Sequence, residues 1–194
     1  LTATTLADGR VVAVKVQYPG VAESITSDIA NLRRLLQVSN FLPRGLYMES
    51  VLQVAREELK AECDYRREAA AQERFRALVG DDPDFLVPSV VHELSTRRVL
   101  VTTWLPGMPI DRVAEGQGPE VRNHIARKLL KLTLKELFEW RFMQTDPNWG
   151  NFFYDDVSGR IGLLDFGASR DFSKPFVDGY LRLVWAAANR DRGT

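Results

Sequence analysis

Hydrophobic residues recur along the chain in two rhythms. From Val11 to Val16 they crowd a short β-branched run, and alternation puts Val11, Ala13 and Lys15 on one face and Val12, Val14 and Val16 on the other. Asp8-Gly9 reads as the turn that folds residues 1–17 into a hairpin. After Pro19-Gly20 the rhythm lengthens. Val21, Ile25, Ile29, Leu32 and Leu36 follow at helical spacing, predicting a helix over about 21–40 that ends at Leu42-Pro43-Arg44-Gly45. A second, longer helix is expected over about 50–78. Its acidic cluster, Glu57, Glu58, Glu62, Asp64 and Glu68, reads mostly as a solvated face laced with Arg56, Arg66 and Arg67. Strands are expected over 85–93, broken at Pro88, and over 99–105, followed by the connector Pro106-Gly107-Met108-Pro109. Arg122 to Trp140 carries Ile125, Leu129, Leu132 and Leu137 on one stripe and predicts an amphipathic core helix. Residues 151–164 read as a hairpin turning at Asp155 to Gly159, and 177–189 as a last helix. The pattern is α+β, with a β-rich part containing inserted helices over 1–105 and a mainly helical part over 106–194.

Composition narrows the classes. Lys and Arg total 26 against 26 Asp and Glu, so there is no electrostatic footprint for nucleic acid or an anionic membrane. Cys63 is the one cysteine, which excludes an internal disulfide and a cysteine-rich metal site. No apolar run reaches the roughly twenty residues that span a bilayer, and the late run Leu181 to Ala188 contains Arg182. The chain opens at Leu1 as if at the end of a strand, so it is expected to be a fragment. Lone His92 and His124 have no His or Cys neighbours and read as surface residues rather than ligands.

The chemistry concentrates late in the chain. Asp146-Pro147-Asn148-Trp149-Gly150-Asn151 and Leu164-Asp165-Phe166-Gly167 present an Asp, an Asn and a second Asp at the spacing of protein-kinase-like folds. Phosphoryl transfer from ATP needs a carboxylate near the attacking oxygen and hard oxygen ligands for Mg2+. Asp146 would supply the first, and Asn151 and Asp165 the metal ligands. Singly these motifs are weak, since Asp-Phe-Gly is common and Asp before Pro is often a turn residue. Together with an upstream strand lysine they point to a two-lobed protein-kinase-like fold. Lys15 would then meet the α- and β-phosphates and a helix glutamate, and small Ala13 would admit the adenine. Thr103, Trp104 and Leu105 would form the hinge whose backbone binds the base. On a helix with about 3.6 residues per turn, Asp64 and Glu68 share a face that Glu62 does not.

With Lys15, the segment Glu62 to Ala69, Gln144 to Asp155 and Leu163 to Ala168 in view, the chain resembles the UbiB (aarF-domain-containing) atypical kinases, specifically their eukaryotic coenzyme Q biosynthesis branch. The resemblance covers nearly the whole chain. It implies that Glu62 and Asp64 form a Glu-x-Asp motif packing against an N-terminal extension over the active site, and that Glu68 faces Lys15. It also implies ATP and Mg2+ as cofactors, quinone-lipid intermediates or coenzyme Q biosynthesis proteins as partners, and peripheral association with the matrix face of the mitochondrial inner membrane. ATP hydrolysis is implied more than transfer to a protein. The resemblance places an alanine-rich nucleotide loop and a Lys-x-Gly-Gln element upstream of Leu1.

Departures from ordinary protein kinases favour an acceptor that is not a protein. Gln144 and Thr145 stand in place of His-Arg, Asn148 in place of a common lysine, and no Ala-Pro-Glu follows Gly167. Two other readings stay open: a nucleotide-binding pseudokinase scaffold of a lipid-biosynthesis complex, and a small-molecule kinase of the aminoglycoside-phosphotransferase type.

Overall fold

A computed structural model describes residues 2–39 and 48–190. The elements run β1 (Thr2–Thr5), β2 (Val11–Val16), α1 (Val21–Ser39), α2 (Met48–Glu62), α3 (Tyr65–Val79), β3 (Phe85–Leu86), β4 (Val99–Thr103), β5 (Met108–Pro109), α4 (Ile110–Gly116), α5 (Pro119–Leu134), β6 (Phe142–Gln144), β7 (Phe152–Tyr154), β8 (Ile161–Leu163), β9 (Ser169–Asp171) and α6 (Lys174–Ala188). They divide into two units: Leu1–Ala70 with Val90–Trp104, and Ala71–Ser89 with Leu105–Thr194.

The first unit holds an antiparallel sheet ordered β1-β2-β4. The hairpin expected at Asp8-Gly9 forms, because Gly9 takes φ +86° and the Asp8 carboxylate accepts the Arg10 N–H at 3.0 Å. β2 is the central strand, with Lys15 opposite Leu100 and Ala13 opposite Thr102. Val12 packs with Val91 and Val101 on one side of this unit, while Tyr65, Ala69, Val90 and Leu100 form a second cluster. The α1 helix begins as expected, and its predicted stop at Leu42 to Gly45 lies outside the described residues.

The long helix expected over 50–78 is instead two helices broken at Cys63-Asp64. The physical reason is competition for the backbone. The Tyr65 N–H donates to the carbonyl of Arg97 at 3.0 Å rather than continuing the helix, and the Asp64 carboxylate accepts the Arg66 N–H at 3.1 Å as a cap. The Gln17 side chain holds the Cys63 carbonyl at 3.0 Å, fixing the corner. A second difference falls at 85–93, where only Phe85 and Leu86 form a strand; Val90 makes a single bridge to Thr102 and His92–Leu94 wind into a 3-10 turn. Pro88, which cannot donate to a ladder, interrupts the run.

In the second unit a sheet ordered β3-β8-β7-β5 and the ribbon β6-β9 pack with α4 and α5 around Phe75, Phe85, Ile125, Leu132, Phe142, Ile161 and Phe166. The Phe75 ring lies 5.0 Å from both Phe142 and Phe166, so the residues flanking the two motifs are anchored on one aromatic centre. The core helix expected over 122–140 starts earlier, at Pro119, and its last six residues, Lys135–Trp140, widen to π winding. Arg141 closes it in the left-handed region at φ 53°, its N–H donating to the Glu136 carbonyl. The hairpin expected over 151–164 forms with Phe152 opposite Leu163. His92 and His124 are exposed, and among the described residues no helix is long and apolar enough to cross a membrane.

Candidate functional site

In the first unit Lys15 and Glu68 meet. Lys15 Nζ lies 2.8 Å from one Glu68 carboxylate oxygen and 3.0 Å from the other, and 5.2 Å from the Tyr65 ring centroid. Tyr65 begins α3 and Glu68 lies one turn on, so the helix break at Asp64 sets the direction from which both approach β2. Glu68 is 4% exposed, and a carboxylate that deep is stable only when paired. Glu62 is exposed at the end of α2, whereas Asp64 caps α3 and pairs with Arg97 at 3.5 Å. The two acids of the Glu-x-Asp pattern therefore sit on opposite sides of a helix break, in different surroundings from Glu68. Ala13 is buried in β2. Thr103 ends β4 and the Trp104 N–H donates to the Val11 carbonyl at 3.1 Å, leaving its ring exposed; Leu105 is buried in the second unit.

In the second unit hydrogen bonds join Asn151 to Asp146 and, through the Asn151 backbone, to Leu164, the residue before Asp165. Asn151 donates its side-chain N–H to the Asp146 carboxylate at 3.1 Å, which turns its amide oxygen outward from that carboxylate. The backbone carbonyl of Asn151 accepts the Leu164 N–H at 2.8 Å, joining the loop to the residue before Asp165. Asn148 caps the short turn Trp149–Asn151 by accepting the Gly150 N–H at 3.0 Å. Asp165 takes a left-handed φ of 56°, uncommon for a residue with a Cβ, and its carboxylate accepts the Gly167 N–H at 3.3 Å. Asp146 and Asp165 are exposed and Asn151 is half-buried.

Two carboxylates and an amide oxygen are hard donors of the kind Mg2+ takes, and a magnesium ion bound with a triphosphate needs only one or two protein carboxylates beside phosphate and water oxygens. The donor set fits on that ground. Among the described residues no group of three or more His, Cys, Asp and Glu side chains converges, which sets it apart from an all-protein metal cage.

Two residues lie outside the candidate set read from the sequence. Gln144 donates its side-chain N–H to the Asp165 carbonyl at 2.9 Å and accepts the Asp146 N–H at 2.6 Å. The second is Glu136, 5% exposed; burial pushes this carboxyl up to about 8, outweighing the lowering effect of the Gln144 backbone N–H. The sequence does carry a signal for Glu136. It lies four residues after Leu132 and four before Trp140, on the apolar stripe where a carboxylate is out of place.

A family profile described as the ABC1 atypical kinase-like domain matches residues 2–194. Among curated proteins the chain is 56% identical over 187 residues to the rat (Rattus norvegicus) protein named atypical kinase COQ8B, mitochondrial, covering 96% of this chain and 35% of that protein. It is 45% identical to the Saccharomyces cerevisiae protein named atypical kinase COQ8, mitochondrial, covering 98% of this chain and 38% of that one. The chain thus spans little more than a third of these relatives. The mitochondrial location expected from the sequence agrees with both names. Among solved structures it aligns with Rv3197 from Mycobacterium tuberculosis, solved in complex with erythromycin, at a TM-score of 0.74 and 34% identity over 87% of this chain and 42% of that one. The kinase-like α+β fold expected from the motifs is borne out.

Proposed function

The chain belongs to the ABC1 atypical kinase-like family, and from that membership we propose that the protein of which it is part binds ATP with Mg2+ and turns it over in support of coenzyme Q biosynthesis in mitochondria. The observation that carries the reading is the cluster in which Asn151 holds the Asp146 carboxylate at 3.1 Å while its backbone holds Leu164, beside Asp165, at 2.8 Å.

Each residue has a role in this reading. Asn151 and Asp165 hold magnesium, which when bound neutralises charge on the transferring phosphoryl group. Asp146 orients the attacking oxygen and can accept its proton. Lys15, held by Glu68, steadies the phosphates, and Ala13 with the backbone of Thr103, Trp104 and Leu105 receives the adenine. Glu62 and Asp64 meet the N-terminal extension. A quinone-lipid intermediate is the proposed acceptor, or water in its absence, with other coenzyme Q biosynthesis proteins as partners at the inner membrane. The relatives' names support the pathway, and Gln144, Thr145 and Asn148 in place of the protein-kinase residues support an acceptor that is not a protein.

ADP release by the full-length protein, with Mg2+ and quinone-precursor headgroups, tests this. We expect headgroup-stimulated release that Asp146→Asn lowers at least about a hundredfold, within the range for losing a positioned acid-base group. If Asp146→Asn loses turnover yet restores quinone synthesis in a deficient cell, ATP serves as a scaffold signal and the catalytic reading falls.

A further inference from the structure

Gln144 ends β6, one position before Thr145 and two before Asp146. Its planar amide faces two ways, giving a hydrogen bond to the Asp165 carbonyl at 2.9 Å and taking one from the Asp146 N–H at 2.6 Å. We infer that Gln144 is a positioning residue that sets the spacing between the Asp146 loop and the Asp165 backbone. The inference rests on the functional reading above, because Asp146 and Asp165 are the groups it positions.

The chemistry of the link is specific to glutamine. One side must donate and the other accept, and both must reach past the end of a strand. Glutamate retains the acceptor and loses the donor, asparagine is one methylene shorter, and an apolar residue has neither group. The left-handed backbone of Asp165 makes the link matter. A non-glycine residue at φ 56° persists only where its surroundings over-determine it, and the twist that produces this φ also aims the carbonyl that Gln144 takes.

The neighbouring bonds fasten other points. Thr145 directs both its N–H, at 3.3 Å, and its hydroxyl, at 2.7 Å, to the Ala168 carbonyl, and β6 pairs with β9 beyond it. These hold the two strands together on the far side of Phe166 and Gly167. The Gln144 amide reaches Asp165 itself.

The test uses the full-length protein and two probes, Mn2+ and ADP, on Gln144→Ala, Gln144→Glu and Asp165→Asn. We expect both Gln144 variants to raise the Mn2+ concentration for half-saturation at fixed ADP by about 10- to 100-fold, the usual effect of removing an outer-shell partner of a metal ligand. Affinity for ADP at saturating Mn2+ should stay within about twofold, since only the metal half-saturation depends on the Asp165 geometry. An unchanged Mn2+ half-saturation in Gln144→Glu and Gln144→Ala overturns the inference. So does a parallel loss of ADP affinity and urea midpoint, which would make Gln144 a folding residue alone. Asp165→Asn separates the two levels: if it abolishes Mn2+ dependence while the Gln144 variants match wild type, only the positioning role fails. If it leaves Mn2+ dependence unchanged, the functional reading fails and the positioning role with it.

Discussion

Glu136 is a buried carboxyl on the π-wound segment before β6. Its carboxyl sits on the apolar stripe, 5% exposed, and burial raises it from 4.5 to about 8. Below pH 4.5 the folded and unfolded forms both hold the proton and Glu136 makes no difference. Between about 5 and 8 only the folded form holds it, so stability falls as pH rises, at most about 1.4 kcal/mol per pH unit. Asp82 and Asp84 act at the other end of the scale. Burial pushes Asp82 up, but hydrogen bonds from the Asp84 backbone, Lys135 and Lys131 bring it below the usual range, and the Lys131 ammonium lowers Asp84. Their contribution is present above about pH 4 and is lost in acid, outside the Glu136 window. Glu136→Gln should therefore flatten the decline between pH 5 and 8 and be the more stable protein at pH 8, read as urea midpoints across that range. A variant curve parallel to wild type would contradict the assignment. At this scale the motif residues were legible, because Lys15, Asp146, Asn151 and Asp165 are single chemical types at fixed spacing. Gln144 showed as part of the family string and as a departure from the kinase pattern, but its bridging was not legible, since its two hydrogen bonds run to backbone groups that no sequence pattern marks.

Between elements, the decisive contacts are those that override local preference. An Ala-, Glu- and Arg-rich stretch from Ser50 to Leu78 has every propensity to continue as one helix, yet it breaks because Arg97 and Gln17, distant in sequence, claim backbone groups at Tyr65 and Cys63. Periodicity has no access to such a claim, and the same limit applies to the short β3. The hairpins and the Val11–Val16 strand were legible because their turns and alternation are local. The connector from Leu105 into β5 makes a further demand. Gly107 has φ 107°, and a Cβ there would lie 2.5 Å from the Tyr154 carbonyl oxygen, so backbone meets backbone with no flexible neighbour to yield. Gly107→Ala should cost about 2–4 kcal/mol, measured as the shift in urea midpoint, whereas Gly116→Ala, with open space around it, should cost little. Equal midpoints for the two variants would refute the close approach.

For the molecule as a whole, the candidate residues fall in both units: the Lys15–Glu68 pair in one, and Asp146, Asn151 and Asp165 in the other. Fold class was legible early because three kinase-like motifs fell in the right order on strands and loops of fitting length, and the family match over residues 2–194 agrees. Acceptor chemistry was not legible from the chain, since Gln144, Thr145 and Asn148 depart from the protein-kinase pattern without marking a pocket for any other substrate. The proposed role of Asp165 is to hold a metal for ATP. It is tested most directly by calorimetric titration of ATP into the full-length protein, with and without Mg2+, in wild type and Asp165→Asn. Wild type should bind ATP in a Mg2+-dependent way, and Asp165→Asn should lose that binding at an unchanged urea midpoint. Equal Mg2+-dependent affinity in the two proteins would contradict it.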